Sequence, residues 1–147
     1  MKTRSRLYDI TIEVPSDWRD ITDEENKDAP ITLAKPDGVG ALQFSIAMYK
    51  SGKLPAARLD DLVDLSKDFG KSHHLGAPFD ETTTEGDVLI AGASYRVHGD
   101  FIRAWHVSDR KNFALVTYTC ENDLEKLELK ECEEIVNSIL FNGTKGK

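Results

Sequence analysis

"FIRAWHVSDRKNFALVTYTC", residues 101–120, is the stretch on which the reading of the fold turns. Two runs rich in apolar and aromatic residues flank the polar "DRKN" at Asp109 to Asn112, the pattern of an antiparallel strand pair joined by a four-residue loop. In that register Ser108 faces Phe113 and Trp105 faces Val116. Alternation sends Phe101, Arg103, Trp105 and Val107 to one face, with Val116 and Tyr118 beside them. Ile102, Ala104, His106 and Ser108 take the other face, with Phe113, Leu115 and Thr117. Arg103, Trp105 and Tyr118 are therefore the candidate binding residues. If a helix covers their face, Arg103 must be paired, for example with an acid from that helix, or reach the rim. If nothing covers it, the three form an exposed arginine and aromatic patch of the type that dominates protein interfaces. The covered arrangement is preferred, because tryptophan in mid-strand is ordinarily core.

Working outward, Tyr8, Ile10, Ile12 and Val14 alternate with polar residues, which predicts a strand ended by Pro15, and "PSDW" turns the chain to set Trp18 over the end of the core. Asp20 to Pro30 is acidic, aperiodic and read as a loop. "ITLAK" (31–35) and "ALQFSIAMY" (41–49) flank "PDGVG", a hairpin signal. After "SGKLP" the period changes: Leu59, Leu62, Val63, Ser66 and Phe69 predict an amphipathic helix stopped at Gly70 or at Gly76 to Pro78. A hairpin turning at Gly86 and Asp87 follows, its second strand running from Val88 to about Val97 with a bulge near Gly92. Asn122 is the expected N-cap of a final helix whose buried stripe is Leu124, Leu127, Cys132, Ile135, Val136 and Ile139. "FNGTKGK" is a short strand end and a frayed tail.

The order of elements and three marker segments, "YDITIEVPSDW" (8–18), "ALQFSIA" (41–47) and "ECEEIVNSILF" (131–141), resemble the PsbP-like superfamily. Its members include the extrinsic PsbP protein of photosystem II and a Ran-binding nuclear import factor, and the resemblance runs from about Tyr8 to Phe141. It implies an α+β fold, an α/β/α sandwich with a mainly antiparallel twisted sheet and two main helices. It also implies an accessory or binding role, and it transfers no site residue.

The 147 residues suffice to bury a core without disulfide or metal, so one domain over 1–147 is expected, with its core over about 7–141. Composition is that of a folded globular chain, 39% hydrophobic and 31% charged. The net charge of −7, from 19 basic and 26 acidic residues, disfavours nucleic-acid binding and suits a basic partner and solubility equally well. Basic residues cluster only at Lys2, Arg4 and Arg6 and at Lys145 and Lys147. No apolar run has the length of a membrane span or an export signal, and with only Cys120 and Cys132 a reducing cytoplasm is expected.

Each chemical candidate has a plainer account. His73 and His74 fit a helix end touching terminal carbonyls better than a metal site, since neither has a histidine at i+4. Cys120 and Cys132 lack CxxC spacing and, with the second lying ~15 Å along a helix, should not bridge. Both are expected as buried hydrophobes, and a catalytic thiol would need a base such as His106 nearby. "DEENKD" and "ENDLEKLELKECEE" lack the ligand pattern of a calcium loop and read as solvated faces. No GxxxxGK, GxGxxG or GxSxG element occurs. The resulting expectation is a non-enzymatic accessory or protein-binding domain without cofactor or metal, one concrete form being a bacterial immunity-type or adaptor protein. The alternative is a small-molecule or lipid pocket lined by Trp105, Tyr118 and Phe44.

Overall fold

The fold is given by a computed structural model that describes residues 2–7, 10–23, 25, 30–48 and 58–141. Expectations for Tyr8, Asp9, the 24–29 loop apart from Glu25, Tyr49, "SGKLP" and the tail after Phe141 lie outside those residues, as do the side chains of Lys2, Arg4 and Arg6.

The 101–120 reading carries into the structure residue by residue. Strand β8 (Asp100–Ser108) pairs antiparallel with β9 (Asn112–Glu121), placing Ser108 opposite Phe113, Trp105 opposite Val116 and Arg103 opposite Tyr118. Asp109 makes the turn, its carboxylate accepting from the backbone N–H of Lys111 at 2.9 Å and of Asn112 at 2.7 Å. Around this pair forms a seven-stranded sheet that also contains β3 (Arg19–Asp20), β4 (Ile31–Ala34), β5 (Gly40–Met48), β6 (Phe79–Thr84) and β7 (Leu89–Val97). The order across it is β3-β4-β5-β9-β8-β7-β6, and every described pairing is antiparallel. The tight β7–β8 hairpin turns on His98 and Gly99, both at positive φ, as a two-residue primed turn requires.

The first strand does not join this sheet. β1 (Lys2–Leu7), β2 (Ile10–Pro15) and β10 (Leu140–Phe141) make a small second sheet in the order β1-β2-β10. Alternation identifies a strand's buried face but carries no information on which strand it pairs with. Ile10, Ile12 and Val14 join Trp18, Phe44, Trp105, Tyr118, Cys132, Ile135 and Val136 in the main core cluster. The small sheet and α2 (Leu129–Asn137) thus cover one side of the large sheet. Helix α1 (Leu59–Ser72) covers β7 and β8 on the other, burying Leu62 against Leu89 and Ala91. The molecule is an α+β sandwich with two main helices.

Three boundaries differ from expectation. Gly70 does not stop α1; it is a buried interior position where a Cβ would lie 2.8 Å from the Tyr95 hydroxyl, so glycine is there for close approach. The helix ends at Ser72, beyond which His74 adopts φ +55. The bulge expected at Gly92 lies in the facing strand, where the register shifts between Phe79 and Thr82 and Asp80 has φ +52. Asn122 caps no helix: a 3₁₀ turn over Leu124–Leu127 intervenes before α2, and Leu127, expected in the buried stripe, is 66% exposed. The turn rotates Leu127 away from the α-helical stripe that the spacing assumed.

Candidate functional site: a buried charge cluster under the second helix

Between the two arrangements open for Arg103, Trp105 and Tyr118, the structure adopts the covered one. All three are at most 2% exposed, so they are not a surface patch. Arg103 is held on every side. Its Nη1 donates to the Asp80 carbonyl at 2.9 Å and to Ser94 Oγ at 2.8 Å, and its Nη2 donates to Thr82 Oγ1 at 2.8 Å. Its Nε lies 2.6 Å from Glu133 Oε2 of α2, an ion pair without the alignment of a hydrogen bond. The Asp80 carbonyl comes from the β6 irregularity, so the bulge re-aims an acceptor at a buried cation. Trp105 Nε1 donates to the other Glu133 oxygen at 3.1 Å, and the Arg103 guanidinium carbon sits 5.5 Å from the Trp105 ring centre. One carboxylate therefore satisfies two buried strand side chains. Gly92 faces this cluster because a Cβ would fall 2.7 Å from Arg103 Nη2 and 3.1 Å from Trp105 Cδ1.

Tyr118 belongs to a second linkage. Its hydroxyl donates to buried Glu128 Oε1 at 2.8 Å, and Glu128 Oε2 accepts the Val39 N–H at 3.1 Å. The "PDGVG" turn is thereby strapped to the start of α2. At Gly38 a Cβ would lie 2.4 Å from Glu128 Oε2, and at Gly40 it would lie 2.8 Å from the Tyr118 ring, so both glycines serve this contact. Burial, and then the Glu128 hydrogen bond, push the Tyr118 phenol far above its usual range, which keeps it a donor. A third pair, Arg96 with buried Glu125 at 2.8 Å, closes the end of the sheet, Arg96 lying 5.0 Å over the Phe79 ring.

Glu125, Glu128 and Glu133 are the residues that sequence reading missed. By sequence the acidic run reads as a solvated face, whereas Glu125 and Glu128 are buried. The available signal was Arg103 itself, because a cation on a buried strand face demands an acid from the covering layer.

The other candidates come out as follows. His73 Nδ1 lies 3.0 Å from the Phe69 carbonyl, the helix-end contact expected of it. Among the described residues no group of three histidine, cysteine or acidic side chains is placed to hold a metal. Cys120 and Cys132 are free and buried, and burial pushes both thiols upward, opposite to an activated nucleophile. His106 faces α1, packed between Phe69 and Phe113 with its Nδ1 lacking a partner, so it serves neither cysteine. The pocket alternative is not supported: Trp105, Tyr118 and Phe44 are each at most 1% exposed within the main core cluster, leaving no ligand-sized space beside them.

The arrangement of two helices and a small sheet around a seven-stranded antiparallel sheet is the PsbP-like fold. Over 95% of this chain and 92% of the other it superposes with TM-score 0.69 on cyanobacterial PsbP (CyanoP) from Synechocystis sp. PCC 6803, at 14% identity. The Ran-binding protein Mog1p of Saccharomyces cerevisiae matches with TM-score 0.62 over 98% and 97% of the two chains at 11% identity. LpqN, involved in cell envelope biogenesis of Mycobacterium tuberculosis, matches with TM-score 0.58 over 97% and 91% at 16% identity. No protein-family model and no curated protein matches the sequence. At these identities the likeness is one of fold.

Proposed function

We propose that the protein is a non-enzymatic accessory domain that acts by binding a protein partner. The observation that supports this most is the sealing of the central cluster. The arginine, indole and phenol that looked most able to act on a ligand are all engaged internally, which leaves the outer surface for recognition. A Ran-binding protein among the structural neighbours is in keeping with that role. The chain has a net charge of −7, and α1 exposes Asp60, Asp64 and Asp68 at successive turns, which suits electrostatic steering of a basic partner. Two buried, unbridged thiols suit a reducing cytoplasm. An immunity-type or adaptor role is the concrete form of this reading.

The test is to place a photo-crosslinking residue at Asp64, identify the captured protein, purify it and measure affinity against ionic strength. Binding that weakens with salt, and weakens further in Asp60→Lys/Asp64→Lys/Asp68→Lys, is the expected result. Affinity indifferent to both changes would refute the steering, and a turnover activity of the purified chain would refute the non-enzymatic reading.

A further inference from the structure

Helix α1 is held to the sheet by less than α2 is. The positions it buries are Leu62, Ser66 and Gly70, so two of its three inward residues bring little or no apolar side chain. They pack into two small clusters, one with Leu89 and Ala91 and one with Ala93 and Tyr95, both separate from the main core. Among the described residues one side-chain hydrogen bond joins α1 to the sheet, from the Tyr95 hydroxyl to the Ser66 carbonyl, and at 3.4 Å it is long. The interior glycine also weakens the helix itself. Just past its end His74 at φ +55 and Gly76 at φ +84 turn the chain, and a glycine there can absorb further rotation. The α2 segment, by contrast, is tied to the sheet through Glu128 and Glu133.

Beneath α1 lies His106 of β8, buried, with ring centres 5.8 Å from Phe69 of the helix and 5.9 Å from Phe113 of β9. Its Nδ1 is buried without a hydrogen-bond partner. Across the ladders it faces Ala91 of β7 and Leu115 of β9, neither of which can take a proton or a charge. On α1, Asp60, Asp64, Lys67, Asp68 and Lys71 are exposed, and Asp61 bonds the Arg58 N–H at the helix start. The exposed His73 meets Phe69 at 4.3 Å between ring centres, so Phe69 connects the two histidines. Burial, with no neighbouring charge adding to it, accounts for the low His106 pKa. An imidazolium donates from both ring nitrogens, and a buried donor without an acceptor is costly. We propose that α1 is an acid-released lid: a proton added to His106 finds no acceptor while the helix is docked, and the helix undocks about the His74 to Gly76 turn, opening His106, Leu89, Ala91 and Phe113 to water while the α2 face stays closed. The lid concerns the chain alone, so its failure would leave the partner-binding reading standing.

The experiment is amide hydrogen exchange on the isotope-labelled full chain, read by NMR as protection factors so that the pH dependence of exchange chemistry is removed. From about pH 7.5 to about pH 5 the protection of α1 amides, Leu62 to Gly70, should fall about twentyfold or more, as proton linkage between 6.5 and about 4 requires. Protection at Cys132, Ile135 and Val136 of α2 should hold. The carbon-bound ring protons of His106 should titrate in the same step in which α1 opens. In His106→Phe the protection of α1 should be the same at both pH values, and His106→Gln, neutral throughout, carries that comparison should phenylalanine overfill the site. Unchanged α1 protection at about pH 5 overturns the lid. So does a ring that titrates while α1 stays protected, or a joint loss on α1 and α2, which is global unfolding. The same loss in His106→Phe or His106→Gln also overturns it, by placing the titrating group elsewhere.

Discussion

The two faces of the seven-stranded sheet solve the burial problem differently. The face under α2 buries Arg103 against Glu133 and Tyr118 against Glu128, and at its edge the more exposed Arg96 meets buried Glu125, each strand residue answered by an acid from α2 or the 3₁₀ turn before it. The face under α1 is packed with Leu62, Leu89, Ala91, Ala93, Tyr95 and Phe69, and there the buried His106 ring lies against the rings of Phe69 and Phe113. On the first face the buried polar groups have partners, and the Tyr118 phenol, held neutral chiefly by burial, donates a hydrogen bond to Glu128. On the second, burial holds His106 neutral, at about 4 rather than 6.5. Burial keeps both rings neutral, and the difference is that the Tyr118 hydroxyl has an acceptor in Glu128 whereas His106 Nδ1 has no hydrogen-bond partner.

The sharpest way to break this contrast is Arg103→Ala. It removes three hydrogen bonds and an ion pair and opens a cavity, and should destabilise the fold by about 3–5 kcal/mol in urea unfolding. Glu133→Ala should have a smaller effect, because that carboxylate is 35% exposed and Arg103 keeps its three other acceptors. A loss below 1 kcal/mol for Arg103→Ala would show that the cluster is not what holds α2 to the sheet.

Acid titration probes the opposite face. The folded pKa of His106 lies below its unfolded value, so between pH 6.5 and about 4 the unfolded chain binds more protons. The stability from keeping His106 neutral is complete above that window and lost as pH falls through it, by about 3 kcal/mol. In His106→Phe the fall in melting temperature across this range should be shallower. An unchanged slope would mean that the ring is solvated when charged.

Tyr118→Phe sharpens the pairing rule at a single bond. It leaves one oxygen of buried Glu128 without its donor and should destabilise by about 1–3 kcal/mol, with the β4–β5 turn losing hydrogen-exchange protection first. The smallest effect belongs to Leu127→Ser. The side chain is exposed on the 3₁₀ turn, so the change should stay within about 0.5 kcal/mol in the same unfolding assay. A large loss would restore the buried stripe that its spacing suggested.

Much of this architecture was legible in the chain. The register of β8 on β9, the β4–β5 hairpin, the amphipathic α1 and the inward face carrying Arg103, Trp105 and Tyr118 all follow from periods of two and 3.6 with turn chemistry between them. The candidate site was legible only in half. A strand can announce that Arg103 points inward, but its acid lies thirty residues later on a segment whose surface pattern reads as solvated.

By itself the sequence determined which residues alternate, which face each strand buries and where the turns fall, because those depend on local backbone geometry and on the water solubility of each side chain. Only the tertiary structure decided that β2 leaves the main sheet for a second one, that Gly70 and Gly92 are close-contact positions rather than breaks, and that Glu128 and Glu133 are buried anchors. The physical reason is that a buried charge or a missing Cβ is stabilised by what lies opposite it, and what lies opposite is set by the packing of layers distant in the chain.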